Sequence, residues 1–598
     1  MSTRQRILEI VLVLMVGLLP LLWYRPGFMA LGHDMGYPLA PIDHFVDRLY
    51  TWTDRLSPFG SDQTESLSGW SIHGLEWAPS KLGLSLVNSQ QVTFMFWAVL
   101  PAITMYILLR HLYPDPKYYP LRLVGSWFLS VNYYMLQGWS IAERTKFSIM
   151  AMLPMLVLSL IKIFRENKSV LHESARLSLL LFVFNGGSGI PLWGGLALTG
   201  LAATIALWRE SVLSIWEKCK KLVSFTLLLV TFLLVTNLYW VMPYVESYRQ
   251  NFTQRIRDAG GIERVIEWST VISSNASWLN LFKMQGLADW YQNPEHPYTN
   301  VLFSNPPLVA IAVLLPVIAF LGLLNRSWQT NLFLTLLLVG IPFAAGSHPP
   351  LGKVYDWLLT TVPGFSMFRT PIYKFGMVVW FAFAYLIANG VQWLSDRLKI
   401  WRWITSTTVM AIIFIYHYPV FTGVFFCLSE KVSTMVQVPG HVLSAKKELD
   451  NNLYSTRVLL LPPLNPGNSY EMYNWRYFSL STIPSLLSRR SVIVNNNYVQ
   501  GLERNWLDKL YADLLVNGKS DLVSWLGIDK VIIRHDFSAP AEGSYVPDLI
   551  NSSVIKSDQF EKQQAIGDWE IFSANTKPRP LFSLGNLVTK VDTSKADL

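Results

Sequence analysis

The sequence predicts a polytopic α-helical membrane protein with about eleven transmembrane helices and a small C-terminal extracytoplasmic α/β domain. Of the 598 residues, 51% are hydrophobic and 15% are charged, whereas soluble domains carry about 25% charged residues. Apolar runs that suit the roughly 20-residue span of a bilayer recur along the chain. These runs lie at 7–23, 92–109, 122–136, 147–164, 176–185, 190–208, 222–245, 305–324, 330–345, 375–392 and 403–424.

The first apolar run, Ile7 to Trp23, follows Arg4 and Arg6 as a secretory signal would. A signal ends in small residues at its cleavage site, whereas Tyr24-Arg25-Pro26 follows here. We therefore expect a retained membrane helix.

Two other runs carry residues that interrupt helices. The run 122–136 contains Asn132, and the run 176–185 ends in the segment Asn185-Gly186-Gly187-Ser188-Gly189. Irregular backbone at membrane depth occurs where it is buried in protein or lines a cavity. We expect broken or buried helices at both places.

Basic residues concentrate in alternate connections between the runs, and such residues stay on the cytoplasmic side. If the N-terminus lies inside, all of these basic connections lie on the cytoplasmic side of the membrane. The same orientation places the loops 24–91, 246–304 and 346–374 and the region 425–598 outside. We predict a multi-pass protein of the cytoplasmic (plasma) membrane, with a membrane domain at 1–424 and an outer α/β domain at 425–598.

The outer domain is predicted from a change in pattern after residue 425. Candidate strands lie at Thr456–Leu461, Ser491–Asn495, Lys530–Arg534 and Trp569–Phe572, and a helical stretch lies near Trp506–Leu515. Short β-branched and apolar runs that alternate with a helical pattern are typical of an α/β domain.

Several function classes are excluded. The formal charge of +9 does not indicate nucleic-acid binding, because many basic residues lie in short connections rather than on one exposed face. Two cysteines exclude a disulfide scaffold. The phosphate loop of soluble nucleotide enzymes and the zinc and serine-elbow motifs of hydrolases do not occur in the sequence.

The first outer loop offers the best catalytic candidate. Asp34, in Gly32-His33-Asp34, starts about nine residues after the first helix. A carboxylate there can accept a proton from a hydroxyl nucleophile, although a solvated loop aspartate or a helix cap would have the same sequence. Asp43 precedes a helical pattern and is more consistent with an N-cap than with a ligand.

Two further groups of charged residues are predicted at the outer ends of membrane helices. Glu143 and Arg144, with Lys146, precede an apolar helix, where charges are costly unless they face a polar cavity. Arg369 and Lys374, which follow the segment containing His348, suit a lipid-linked phosphate. For both groups, ordinary interfacial charges remain an alternative.

These motifs together resemble the GT-C superfamily of polyprenyl-phosphate-sugar-dependent membrane glycosyltransferases. Among them, the chain is most similar to the α-(1→3)-arabinofuranosyltransferase family of actinobacterial cell-wall synthesis, and a bacterial family that glycosylates envelope polymers such as lipoteichoic acid is a comparable match. The features that carry the resemblance occur in order over about residues 1–400. They are Gly32-His33-Asp34, Pro41, Phe45, Arg48, Trp52, Phe59-Gly60, Trp240 with Pro243, Gly346-Ser347, Phe368-Arg369 and Lys374-Phe375.

The resemblance implies a membrane enzyme that moves a sugar, arabinofuranose in the closest family, with inversion. The donor would be a polyprenyl-phosphate sugar, and the acceptor an envelope glycan or glycolipid at the outer membrane face. It implies Asp34 as catalytic base; we expect Arg369 and Lys374 at the donor phosphate, and Asp43, Glu143, Arg144 and His348 along the cavity.

The predicted chemistry requires no cofactor. A divalent cation between Asp34 and Asp43 stays an alternative, although no closed ligand set is visible. The partners expected are the lipid-linked donor, the acceptor and membrane lipid, and nucleic acid is not among them. The rival functions are a transporter or flippase of lipid-linked glycan, which needs no base, and a non-catalytic protein of envelope assembly.

Overall fold

A computed structural model of the chain describes residues 3–33, 36–53, 61–258, 261–288, 297–429, 431–450, 457–464, 470–480, 482–488, 490–493, 501–538 and 547–575. The chain divides into two compact units. The membrane unit comprises Met1–Pro26 and Thr64–Glu430, and the sheet unit comprises Gly27–Gln63 and Lys431–Leu598. The long segment 24–91 is therefore shared between the two units.

Helices account for nearly all of the membrane unit. In chain order, and including α2 of the sheet unit, they are α1 (Thr3–Leu14), α2 (Pro41–Asp47), α3 (Trp70–Lys81), α4 (Leu86–Leu112), α5 (Tyr119–Val131), α6 (Tyr133–Ser140), α7 (Arg144–Phe164), α8 (Val170–Phe184), α9 (Trp193–Glu210), α10 (Ile215–Asp258), α11 (Gly261–Ser273), α12 (Trp278–Phe282), α13 (Pro297–Ser304), α14 (Pro306–Gly322), α15 (Trp328–Ala345), α16 (Gly352–Thr361), α17 (Pro371–Leu398), α18 (Arg402–Tyr416) and α19 (Pro419–Thr422). The 3₁₀ helices lie at Met15–Trp23, Thr64–Gly69, Pro116–Tyr118, Ile190–Leu192, Phe365–Phe368 and Val424–Phe426.

Seven helical segments in the described residues are long and apolar enough to cross a membrane. An eighth is added if α13 and α14, which meet at a bend of 82°, form one span. The other predicted runs give helices of 13 residues (α5), 15 residues (α8) and 15 residues (α18), shorter than a full span requires. A multi-pass helical protein is supported, and the count of eleven stays a prediction.

The predicted interruption at Asn132 is confirmed. Asn132 has an extended backbone between α5 and α6, and its side-chain oxygen accepts a hydrogen bond from Met135 N at 3.1 Å. Its side-chain amide donates to the carbonyl oxygen of Phe128 at 3.0 Å. The asparagine side chain thus pairs with a backbone group at each of the two helix ends that meet at the break.

The long helix α17 lies at the centre of the membrane unit and is buried along most of its length. Small residues allow neighbouring helices to approach it. A Cβ atom at Gly390 would overlap the carbonyl oxygen of Ile318, and one at Gly322 would overlap that of Leu386. Close backbone contact through glycine is typical of helix packing in membranes, and it fixes α14 against α17.

A buried ion pair joins the N-terminal helix to the bundle. Both terminal oxygens of Glu9 accept from Arg122 Nη2, at 2.7 and 2.8 Å, and the Tyr106 hydroxyl donates to Glu9 at 2.6 Å. Both charged side chains have no exposed surface. Because the carboxylate and the guanidinium satisfy each other, α1, α4 and α5 can enclose two charges in an apolar region.

The sheet unit contains a five-stranded sheet in the order β10-β11-β9-β5-β8. Its strands are β5 (Arg457–Leu461), β8 (Ser491–Ile493), β9 (Ile528–Arg534), β10 (Phe560–Ile566) and β11 (Trp569–Ala574). Strand β5 pairs in parallel with β8 and β9, whereas β11 pairs antiparallel with β9 and β10. All four predicted strands are therefore confirmed.

Helices of the sheet unit cover this sheet. They are α20 (Gly440–Asp450), α21 (Ile483–Leu487), α22 (Gly501–Asn517), α23 (Leu522–Trp525) and α24 (Pro547–Ile555). Apolar residues of α22 and α24, such as Leu510 and Val554, pack against Leu459 and Val531 of the central strands. The alternation of buried strands and helices explains why the sequence pattern indicated an α/β fold.

The sheet unit also contains three short strand pairs, of which β1–β4 joins the segment Gly27–Gln63 to the rest of the unit. Strand β1 (Phe28–Ala30) pairs with β4 (Met435–Gln437), and β2 (Trp52–Thr53) pairs with β3 (Ser61–Asp62). A small hairpin is formed by β6 (Glu471–Met472) and β7 (Phe478–Ser479). The first loop after the N-terminal helix is therefore built into the unit that contains the C-terminal sheet.

Candidate functional site

Asp34, the predicted base, lies outside the described residues, but its neighbour is held by strand β7. His33 N donates to Phe478 O at 2.5 Å, and His33 O accepts from Leu480 N at 3.2 Å and from Ser479 Oγ at 2.7 Å. Gly32 has a φ of +129°, and a Cβ there would lie 2.7 Å from Phe478 O. Glycine is required for this close approach, and the backbone that leads to Asp34 is thereby fixed.

The structure corrects the interpretation of Asp43 as a helix cap. Helix α2 begins at Pro41 with Ala40 at the N-cap, so Asp43 lies in the first turn. Proline at the first position has no N–H to satisfy, and it moves the start of the helix before Asp43. The Asp43 carboxylate instead accepts a hydrogen bond from Lys446 Nζ at 3.2 Å, a contact within the sheet unit.

In the membrane unit, Arg144 contacts a carboxylate that was not among the predicted site residues. Arg144 Nη1 lies 2.6 Å from Glu76 Oε1, and the two side chains are 3% and 1% exposed. His73, one turn earlier in α3, contacts the other oxygen of Glu76 at 3.2 Å. The pattern His73-x-x-Glu76 placed both groups on one face of a helix, which is the signal that could have indicated this cluster.

Lys146, on the same first turn of α7, is fully buried. Its Nζ donates to Gln137 Oε1 at 2.5 Å and lies 3.7 Å from the centre of the Tyr134 ring. The ring of Tyr373 is 5.9 Å away. An aromatic face stabilises a cation by its quadrupole, so the Tyr134 ring and the Gln137 side chain together provide a favourable environment for the Lys146 ammonium.

Glu143 precedes α7 and is half-buried. Its backbone N donates to Gly138 O at 2.9 Å, and its carbonyl accepts from Lys146 N at 3.1 Å. The Glu143 side chain makes no capping bond to α7. The backbone of Glu143 therefore shapes the turn that directs Arg144 and Lys146 into the bundle.

Of the three remaining predicted site residues, Arg369 and Lys374 lie at the start of α17, and His348 lies between α15 and α16. Arg369 is exposed after a 3₁₀ turn, Lys374 is half-buried in the first turn of α17, and His348 Nδ1 lies 2.7 Å from Pro349 O. In the described part of the chain, neither Arg369 nor Lys374 has a side-chain ion pair. The carbonyl of Tyr373 accepts a hydrogen bond from Tyr134 Oη at 2.6 Å. This bond connects the start of α17 to α6.

An apolar groove follows helix α10. A cavity of about 450 Å³ lies between α7, α8, α9 and α10, and a second of about 290 Å³ extends it; Trp193 and Leu233 line both. At the far end lie Gly187 and Trp240, and a Cβ at Gly187 would overlap the Trp240 ring.

The glycine-rich loop after α8 connects this groove to the charged cluster. A Cβ at Gly189 would lie 3.1 Å from Thr145 Cβ, and Thr145 separates Arg144 from Lys146 in the sequence. The groove therefore ends beside a segment that carries two buried cations. Apolar walls with a cation at one end suit a molecule with a long hydrocarbon chain and an anionic group.

The fold is similar to that of solved arabinofuranosyltransferases. A cryo-EM structure of AftD from Mycobacteria superposes with a TM-score of 0.63 at 13% identity, over 97% of this chain and 40% of that chain. A mutant of the same enzyme gives a TM-score of 0.61 at 14% identity, over 96% and 42%. The chain thus spans less than half the length of these proteins, and no curated protein sequence matches it.

The family profile of the α-(1→3)-arabinofuranosyltransferase N-terminal GT-C domain matches residues 138–581. The match includes the membrane unit after α6 and the described residues of the sheet unit from Lys431 onward, but not the segment Gly27–Gln63. It contains Glu143, Arg144 and Lys146 as well as the helices that line the groove. The chain therefore belongs to the family of the N-terminal GT-C domain of α-(1→3)-arabinofuranosyltransferases.

Proposed function

We propose that the protein is an inverting glycosyltransferase that moves a sugar, arabinofuranose by family likeness, from a polyprenyl-phosphate donor to an envelope glycan or glycolipid. The observation that carries the proposal is the apolar groove whose glycine-rich end, the loop Gly187–Gly189, contacts Thr145, the residue between the buried cations Arg144 and Lys146. A polyprenyl chain matches the groove, and a phosphodiester matches the cations. Transfer would occur at the outer face of the cytoplasmic membrane.

In this proposal, four cationic side chains bind the donor phosphate. Arg144 and Lys146 flank Thr145, which contacts the glycine-rich loop at the end of the groove, whereas Arg369 and Lys374 have no carboxylate partner among the described residues. Because Glu76 already orients Arg144, the guanidinium needs little reorganisation when the phosphate binds. An arginine fork and lysine point charges both suit phosphate oxygens.

The chemical step is a single displacement. With Asp34 as general base, the carboxylate takes the proton of the acceptor hydroxyl. The hydroxyl oxygen attacks the anomeric carbon at the same time. The bond between that carbon and the phosphate oxygen breaks, and the polyprenyl phosphate leaves with the electron pair. One displacement inverts the anomeric configuration. Because the leaving group is already a stabilised anion, the protein needs only to position, deprotonate and neutralise charge.

The test is a donor panel. Proteoliposomes that contain the protein are incubated with radiolabelled polyprenyl-phosphate sugars and a mixture of envelope glycan acceptors. We expect label from one donor to enter the glycan. Label that crosses the bilayer but stays on the lipid would instead identify a flippase, and no consumption of any donor would contradict the proposal.

A further inference from the structure

Three metal-ligating side chains meet in the sheet unit, separate from the charged cluster on α7. They are His441 at the start of α20, Asp536 just after β9, and Asp568 in the turn between β10 and β11. One ligand atom from each lies within 4.8 Å of the other two. The three residues come from distant parts of the sequence, so the fold itself assembles the set.

The distance between the ligand atoms of His441 and Asp536 suits one bound ion. His441 Nε2 lies 3.2 Å from Asp536 Oδ2. Two ligand atoms that are each ~2.1 Å from a metal, at tetrahedral or octahedral angles, lie ~3.0–3.4 Å from each other. The two atoms could therefore bind one ion without movement of the backbone.

The charge of Asp536 gives a second and independent indication. Its side chain has no exposed surface, and its two oxygens accept from Trp569 Nε1 at 2.9 Å and from Trp475 Nε1 at 3.0 Å. Among the described residues, its only ion-pair partner is His441. A cation bound at this position would compensate the charge of the buried carboxylate, which is costly to bury alone.

The turn of the β10–β11 hairpin brings Asp568 to the pair. Gly567 has a φ of +57°, and a Cβ there would lie 2.5 Å from His441 Cβ. Only glycine allows the turn to approach the histidine so closely. Asp568 is exposed, so its carboxylate is free to rotate toward an ion.

We propose that His441, Asp536 and Asp568 bind one divalent transition-metal cation, Zn²⁺ or Mn²⁺. An imidazole ligand favours these ions over Mg²⁺ and Ca²⁺, which prefer oxygen ligands alone. The bound ion neutralises Asp536 and links α20, the end of β9 and the β10–β11 hairpin. Its role is structural, and it is independent of the proposed sugar transfer.

The experiment is a titration of the purified full chain in detergent after dialysis against EDTA. ZnCl₂ and MnCl₂ are added in a calorimeter, and thermal unfolding is followed in parallel. We expect one ion per chain and a rise in the unfolding temperature. His441→Ala and Asp568→Asn should each weaken binding by about tenfold or more, at least as much as loss of an outer-shell partner does.

His535→Ala is the matched control, because His535 is half-exposed beside the cluster and pairs with Glu570 rather than with the three ligands. It should bind the ion as the unaltered protein does. Asp568→Asn changes an exposed residue, so the test survives if His441→Ala fails to fold. Absence of saturable binding, or equal binding by the Asp568→Asn and unaltered proteins, would overturn the assignment. Neither result depends on sugar transfer.

Discussion

Arg144 and Glu76 form a buried ion pair, with Nη1 and Oε1 2.6 Å apart, that joins the first turn of α7 to α3. The pair fixes the guanidinium next to Thr145 and Lys146, where the groove along α10 ends. Because both charges are buried away from water, each is compensated by the opposite charge of the other. The predictions below follow from this arrangement and from the strand that holds His33.

Glu76→Gln should destabilise the membrane unit. Removing the carboxylate leaves Arg144 buried without its partner, which costs about 3–5 kcal/mol. The measurement is the thermal unfolding of the purified protein in detergent. Glu65→Gln is the control, because Glu65 is an exposed carboxylate in the same part of the chain. Equal unfolding temperatures for the two variants would show that the ion pair does not support the fold.

Lys146→Met should reduce sugar transfer while the protein stays folded. Loss of one preorganised charge at the phosphate is expected to lower kcat by about 10²-fold, whereas the methionine chain still fills the space beside Tyr134. The measurement is steady-state kinetics with the polyprenyl-phosphate donor. Lys353→Met serves as control, since Lys353 is exposed. Unchanged kcat in Lys146→Met would remove this residue from the donor site.

Gly32→Ala should impair transfer through the position of Asp34. The added Cβ would meet Phe478 O at 2.7 Å, so the backbone that precedes Asp34 must shift. A misplaced base lowers kcat far more than it changes KM for the donor. Gly440→Ala is the control, because open space surrounds that position. An effect on KM alone would argue against a positioning role.

Gly200→Trp should block the apolar groove. Gly200 lines the larger cavity, and a Cβ there meets only Leu156, at 3.5 Å, so an indole would enter the space proposed for the polyprenyl chain. We expect a higher KM for a long-chain donor and little change for a short-chain analogue. Leu338→Trp, on an exposed face of α15, is the matched control. Equal KM values with the long-chain donor would place the lipid elsewhere.

Local patterns in the sequence predicted the strands and the broken helix well. The run at Lys530–Arg534 lies inside β9, and the polar Asn132 interrupts an apolar run at the observed break. Both features depend on residues close in the sequence. Glu143, Arg144 and Lys146 were also predicted to face a polar cavity, because charges next to an apolar helix need a polar environment.

Long-range contacts explain what the sequence did not predict. Glu76 looks like one acidic residue among many until the fold brings its side chain to Arg144, and His441 and Asp536 are 95 positions apart. The cap assigned to Asp43 was wrong because Pro41 starts the helix two residues earlier. In each case a contact or a backbone constraint outside the local pattern decided the outcome.

The most direct test of the proposed function is the transfer rate of the Asp34→Asn protein. Proteoliposomes with equal amounts of folded protein are given the radiolabelled donor and acceptor, and product formation is followed over time. Because the amide cannot accept the hydroxyl proton, we predict a fall in kcat of about 10²–10⁴-fold with little change in donor binding. Full transfer by Asp34→Asn would contradict the assignment of Asp34 as the base.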